Sequence, residues 1–337
     1  MSEGYVAGIE VSDKALRKVM QKCVATTMRK HPNWLVPYPW VNEESDLLAE
    51  GSQDLMKVQY NLPQPMLNTM LGDGETIYPK YSMGLWDKGA KTLEKSQKDM
   101  IDDVIRKAGI KDGDTILDFG CGWGCVPNYI LSKLPNVRIT GINLSSEQCG
   151  YIRKKMKDPK SNLSSKRFKL IEGDVNKVVI KQKFDKIISI GVFCHIGNLT
   201  KTFKRLSELL KDDGKVFIHI ITVNMPTNLT SPFTHKYIFP HGRIWNHDAV
   251  PAHNEDLVTV DRWYINGRNY SETLKAWLKN FDDNQEMVSK LDYGMPYRKF
   301  RRIWRLYLIA VQENFANNGG KVQGNGQYLL VKAKTIK

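Results

Sequence analysis

The stretch Thr115–Gly124, TILDFGCGWG, constrains the fold of this chain more than any other. Ile116 and Leu117 lie in a short apolar run that Asp118 closes, and Gly120, Gly122 and Gly124 follow at alternate positions. The pattern predicts a buried strand turning sharply into a helix. Glycines let a ligand approach the backbone closely. A parallel strand carries such a loop to the carboxyl edge of its sheet, where doubly wound folds bind nucleotide-like ligands. Glycine triplets also make ordinary turns, so the flanking segments decide between a binding loop and a bend.

Those segments alternate regularly. Thr92 opens a helix with Leu93, Met100, Ile101, Val104, Ile105 and Ala108 on one face, stopped by Gly109. After the Gly-rich turn and its helix, VRITGIN reads as a second strand, and the next helix starts at Ser145 with capping-box spacing to Gln148. RFKLIEGD, FDKIISIG and KVFIHIIT read as further strands. The helix LTKTFKRLSELL, between the last two, turns Phe203, Leu206, Leu209 and Leu210 inward. With LVTVDRWYI, helices over 270–316, and GQYLLVKAK as a closing strand with alternating side chains, the expected fold is α/β: a doubly wound, mostly parallel seven-stranded sheet covered on both faces.

The expected organisation is a helical N-terminal segment over 1–75 acting as lid or substrate wall, a binding core over 76–222, and a part over 223–337. That last part holds a substrate cap, helices and the final two strands. Within 1–75, residues 11–30 place Leu16, Val19, Met20, Cys23 and Val24 at helical spacing, and short helices over 45–71 are expected to break at Pro63 and Pro65. Residues 223–254 are rich in histidine and aromatics and too long for a plain connector, which marks an active-site cover.

A hydrophobic fraction of 41% and eight tryptophans supply a core. The net charge of +14 is compatible with nucleic acid, an anionic membrane or an acidic substrate, but its lysines and arginines are interleaved with acids and read as solvated surface. Helix YRKFRRIWRLYLIAVQENF carries an apolar stripe of Phe300, Ile303, Trp304, Tyr307 and Val311 beside basic residues, so core packing competes there with weak contact to an anionic membrane. Neither an NPPY-type motif nor a basic recognition module is present, and nucleic acid is not the expected partner. No apolar run is long enough to span a bilayer and the first residues lack a signal-peptide core, so the expectation is cytoplasmic. The five cysteines lack paired zinc spacing, and no metal is expected. Oligomeric state is left open.

A dinucleotide site prefers GxGxxG, which Gly120-Cys-Gly122-Trp-Gly124 fits poorly, and there is no phosphate loop with GKS or GKT. A ligand without a pyrophosphate, held by a strand-end acid and close backbone, suits these residues, and S-adenosylmethionine is such a ligand. Its ammonium would lie near Asp118, its ribose near the end of the second strand and its adenine near Asp174.

LDFGCGWG, with YSMGLWD and TLEKSQ upstream and GINLSSEQ and SIGVFCHIG downstream, resembles the cyclopropane-fatty-acid-synthase-like S-adenosylmethionine methyltransferases. QYNLP, IKDGD and WYINGRNYSETLKAWLKNFD are more similar to the coclaurine-type N-methyltransferases. The resemblance runs from about residue 50 to the end, and it implies a class I, Rossmann-like methyltransferase. It implies cofactor contacts from Tyr81, Ser82, Gly120, Gly122, Asn143, Gln148, Asp174, Val175 and Ile190, with Asp118 the strongest candidate from the residues themselves. Competing readings stay open: Gln148 completing its capping box, Asn143 and Asp174 serving turns, Ser82 capping one, Tyr81 packing in the core.

Methyl transfer from a sulfonium is an in-line displacement, so the protein aligns the acceptor and excludes water. An amine must also present a lone pair. The resembled enzymes carry Phe-Glu-His after the fourth strand, where this chain has Phe193-Cys194-His195, so their carboxylate is absent here. His195 is the candidate proton acceptor. His219 and Tyr270 match site residues by motif, and each also reads as core or helix-start packing. Cys194 reads as a small pocket wall, active only with a lowered pKa. His241 replaces a glycine of the resembled FPGG. The expected activity is methyl transfer to the nitrogen of a small-molecule amine. The alternatives are methyl or methylene transfer to an unsaturated acyl lipid, or a binding homologue that has lost activity with the glutamate.

Overall fold

The computed structural model describes residues 2–30, 48, 62–72, 78–224, 231–240, 242–253 and 255–335. Its strands are β1 (Thr115–Phe119), β2 (Arg138–Asn143), β3 (Phe168–Glu172), β4 (Phe184–Ile190), β5 (Leu210–Val223), β6 (Trp245–Asn246), β7 (Leu257–Ile265) and β8 (Gln323–Lys332). Before β1 come helices α1 (Ser2–Ala7), α2 (Asp13–Lys30), α3 (Gln64–Leu71) and α4 (Leu93–Ala108). Between the strands lie α5 (Cys125–Lys133), α6 (Ser146–Met156), α7 (Leu199–Leu209), α8 (Pro232–Tyr237) and α9 (Ala249–Ala252). Then α10 (Arg268–Asp283), α11 (Gln285–Val288) and α12 (Tyr297–Ala316) precede β8.

The strands form one sheet in the order β3-β2-β1-β4-β5-β8-β7, with the two-residue β6 beside β5. The pairs among β1 to β5 are parallel, whereas β8 runs antiparallel to both β5 and β7. From β1 the chain winds outward through β2 to β3 and then returns to place β4 on β1's other side. The order therefore reverses between β1 and β4, and the carboxyl ends of these two strands flank the crevice such folds use for ligands. The expected sheet stands, with β6 as an added short edge.

Strand alternation divides the core into two layers. Ile116, Ile139, Ile188 and Phe217 face one side, packed against helices that include α4, α10 and α12. Leu117, Ile142, Ile187, Val216 and Ile218 face the other, packed against α7 through Phe203, Leu206 and Leu209. Helix ends follow the sequence signals. The Thr92 side chain accepts from Lys95 N, and Gly109 ends α4 in the left-handed region with φ 61°. Asn198 caps α7 by accepting from Lys201 N.

Two details differ from expectation. Pro63 is the cap residue of α3 and Pro65 lies in its first turn, so these prolines begin a helix instead of breaking one. The closing strand does not alternate: Tyr328, Leu329 and Leu330 are all buried because β8 is inserted between β5 and β7, and β7 takes the edge. No described helix is long and apolar enough to cross a membrane.

Candidate functional site

The turn after β1 is shaped by its neighbour β2. Gly120 N and Cys121 N both donate to Ile142 O, at 3.1 and 3.0 Å. Gly120 has φ 94°, and a Cβ there would lie 2.2 Å from Val192 Cγ2, so this position requires glycine for both conformation and space. Asn143, at the end of β2, closes the turn from above: its amide nitrogen donates to Gly122 O (2.8 Å) and to Gln148 Oε1 (2.9 Å). Gln148 N in turn donates to Ser145 Oγ, while the Gln148 side chain turns to Asn143. Only half of the expected capping box forms, and its other half serves the cavity wall.

This turn floors a cleft whose empty space, counted together with its open mouth, is about 1090 Å³. Asp118, Gly120, Gly122, Asn143 and Gln148 line it from β1, β2 and α6. Tyr81 and Ser82 line it from the segment before α4, Val175 from the turn after β3, and Ile190 from the end of β4. His195 joins them from the short helical turn Phe193–His195. The chain thus brings nine of the ten cofactor candidates and one of the four catalytic candidates to a single cavity.

The other four lie around it. Asp174 is outside the lining; its Oδ1 accepts from Asn176 N (2.8 Å) and Nδ2 (2.6 Å), and Asn176 Oδ1 accepts from Leu48 N. It orders a turn that holds Leu48, whose carbonyl accepts from Gly197 N. His219 is fully buried in β5 with its ring nitrogens 3.1 Å from the side-chain amides of Asn325 and Gln327. Burial first, then the charges of Lys80 and Lys107, lower its pKa to about 3, so the ring is neutral. Its contribution to the cavity is its carbonyl, which accepts from Gly191 N at 2.8 Å. Tyr270 is buried near the start of α10 beside Phe315 and Trp277, with Trp277 stacked at a tilt on Tyr81 at 5.3 Å. Burial pushes its phenol well above the usual value. Cys194 Sγ donates to Gly191 O (3.1 Å), and burial raises its thiol to about 12, which removes thiolate chemistry and leaves a small packing residue.

His195 faces Phe239 with ring centroids 4.7 Å apart. Burial lowers the imidazole to about 3, so it is neutral at pH 7 and a weak base. The expected cover reaches this point: Arg243 N donates to Cys194 O (2.9 Å) and Trp245 Nε1 to Phe193 O (2.8 Å). His241 lies outside the described residues.

Asp118 decides what the cavity can hold. It is 2% exposed, its Oδ2 has no hydrogen-bond partner among the described residues, and burial alone raises its pKa to about 7. A buried carboxylate without a partner is unfavourable, and an ammonium from a ligand removes that cost. The residues therefore fit S-adenosylmethionine, whose amino-acid end carries one.

The mycolic acid cyclopropane synthetase family, taken as a profile, matches residues 51–323. The chain belongs to the mycolic acid cyclopropane synthetase family. Membership makes it an enzyme of the S-adenosylmethionine-dependent methyltransferase class. Pavine N-methyltransferase of Thalictrum flavum subsp. glaucum is 30% identical over 298 residues, which is 85% of this chain and 81% of that one. (S)-Coclaurine N-methyltransferase of Papaver somniferum is 28% identical, covering 81% and 79% respectively. Cyclopropane-fatty-acyl-phospholipid synthase of Escherichia coli (strain K12) is also 28% identical, covering 75% of this chain and 62% of that one. Among solved structures, coclaurine N-methyltransferase bound to N-methylheliamine and SAH superposes with TM-score 0.84 at 21% identity, over 98% of both chains. Cyclopropane synthase MmaA2 of Mycobacterium tuberculosis gives 0.71 at 22% identity, over 84% of this chain and 99% of that one.

Sequence reading missed Lys80, which lines the same cavity while only 4% exposed. A lysine between Tyr78 and the apolar Met83 and Leu85 was the available signal. Val192 and Ile196, inside SIGVFCHIG, and Phe239, in the FPHG stretch, also stand at the site as apolar walls, a role those motifs did not assign to them.

Proposed function

We propose that this protein transfers a methyl group from S-adenosylmethionine to a nitrogen of a small-molecule amine bound as the free base. The observation that carries the nitrogen assignment is the similarity to pavine N-methyltransferase across 85% of this chain. When bound, S-adenosylmethionine supplies an electrophilic methyl group on a sulfonium.

The chain's residues do the rest. Asp118 takes the ligand ammonium, and the Gly120–Gly122 backbone leaves room for its main chain. Asn143 and Gln148, braced against each other, stand at the ribose end, and Val175 forms the wall toward the base. On the opposite side Ile190, Val192, Ile196 and His195 surround the acceptor, with Phe239 behind the imidazole and Arg243 and Trp245 closing over it through their bonds to Cys194 and Phe193. A neutral imidazole accepts an N–H from the acceptor and so aims the nitrogen lone pair. Because its conjugate acid is far too acidic to store a proton near pH 7, an ammonium acceptor loses its proton before capture.

Transfer of labelled methyl from S-adenosylmethionine to a panel of amines, run beside liposomes of unsaturated phospholipid, tests this. Labelled N-methyl product with unlabelled lipid supports the reading. Label in the lipid alone moves the function to the acyl-lipid alternative, and no label in any acceptor despite cofactor binding leaves only a binding homologue.

A further inference from the structure

Lys80 is a buried cation that the mechanism above does not use. Its Nζ donates to Ser82 O (3.1 Å), Ser82 Oγ (3.0 Å) and Met83 O (2.6 Å). Those three bonds occupy all three protons of an ammonium. No carboxylate lies within ion-pair distance of it among the described residues, and the nearby charge effects on it are small beside burial, which lowers its pKa to about 7. The cavity wall therefore holds two buried ionisable groups of opposite kind, Lys80 and Asp118, without ionic partners among the described residues. Each is unfavourable alone.

We propose that Lys80 is a positioning residue that builds the positive pole of a zwitterion site: by donating to Ser82 Oγ it turns the Ser82 hydroxyl proton into the cavity, toward a ligand carboxylate, while Asp118 takes the ligand ammonium. The proposal rests on the S-adenosylmethionine reading and deepens it. A serine oxygen that already accepts from an ammonium keeps its own proton for another acceptor, and the adjacent charge strengthens that donation in a low-dielectric wall. Ser82 lines the cavity, so the acceptor lies there. The two carbonyl bonds of Lys80 fix the Ser82 backbone, so the hydroxyl is held in place as well as polarised.

A purely structural clamp makes a different prediction, and ligand chemistry separates the two. Calorimetric titration of the full chain compares S-adenosylhomocysteine with its decarboxylated counterpart, which keeps the ammonium and lacks the carboxylate. The variants are Lys80→Met, Ser82→Ala and Asp118→Asn, with thermal melting as the check on folding. Lys80→Met and Ser82→Ala are expected to weaken S-adenosylhomocysteine by about tenfold or more and to leave the decarboxylated ligand within about twofold. Asp118→Asn weakens both. Equal weakening of the two ligands by Lys80→Met, or no change in either, overturns the proposal. If Lys80→Met does not fold, Ser82→Ala decides alone, since it leaves the carbonyl bonds of Lys80 in place. Failure of the wild type to bind either ligand is the separate signature that the cofactor reading itself is wrong.

Discussion

Burial of Asp118 carries a stability cost that a bound ammonium would remove. Its carboxyl is raised to about 7 in the folded chain, from the 3.8 of a free aspartate that the unfolded chain recovers. Between these values the folded state holds the extra proton, so this residue lowers stability progressively as pH rises from about 4 to 7. Asp118→Asn is expected to melt at a higher temperature than wild type at pH 7.5, with the difference shrinking toward pH 4. Melting curves across that range check it, and a lower melting temperature at pH 7.5 counts against an unpartnered carboxylate. His195→Ala is expected to reduce turnover about 10²-fold while changing cofactor affinity less than threefold. Turnover with a basic amine is expected to climb with pH toward the amine's own pKa, with no inflection from His195 between pH 5 and 8, because that imidazole stays neutral throughout. A break near 6.5 that vanishes in His195→Ala contradicts this.

At the scale of elements, the β1 turn is the least tolerant part of the molecule. Gly120→Ala places a methyl group 2.2 Å from Val192 at a φ of 94°. The expected outcome is loss of cofactor binding with a stability loss of about 1–3 kcal/mol, measured by ligand titration and urea unfolding. Leu206→Ala, in the fully buried face of α7, is expected to cost about 2–5 kcal/mol with cofactor affinity retained in the folded fraction. These elements were legible because their signals are local. Apolar runs ending in Asp118 or Asn143 announce parallel strands, and Thr92, Ser145 and Asn198 are cap residues by side-chain chemistry. The placement of β8 was not legible, since pairing between β5 and β7 is a long-range choice that leaves no mark in the order of strands along the chain. Asp174 was read toward the ligand and turned to Asn176 because a short acid beside a turn is met first by its own neighbours. Lys80 escaped notice because its three acceptors include two main-chain carbonyls, which no side-chain motif encodes.

For the whole molecule, the first two helices are fastened to the far end of the chain. Arg302 donates to Tyr5 O (2.8 Å) and Ile9 O (3.1 Å), Arg17 to Gln312 and Glu313 (2.7 Å each), and Arg305 bridges Asp13 and Asp282. Glu3 accepts from Tyr237 Oη (2.9 Å), which ties α1 to α8, two residues before the Phe239 that meets His195. On the basic side of α12, open on sequence to a membrane, Arg302 and Arg305 are committed to these internal pairs. Arg305→Met is expected to lower stability by about 1–3 kcal/mol, a range discounted for the exposure of Asp13, as measured by urea unfolding.

The proposed site lays an S-adenosyl ligand across the carboxyl ends of β1 and β4 with its ammonium on Asp118. Equilibrium titration of the full chain with S-adenosylmethionine, for wild type beside Asp118→Asn, tests it most directly. The wild type is expected to bind saturably at one-to-one stoichiometry and the variant at least about tenfold more weakly. Equal affinity in the two proteins, or no binding by a folded wild type, contradicts it.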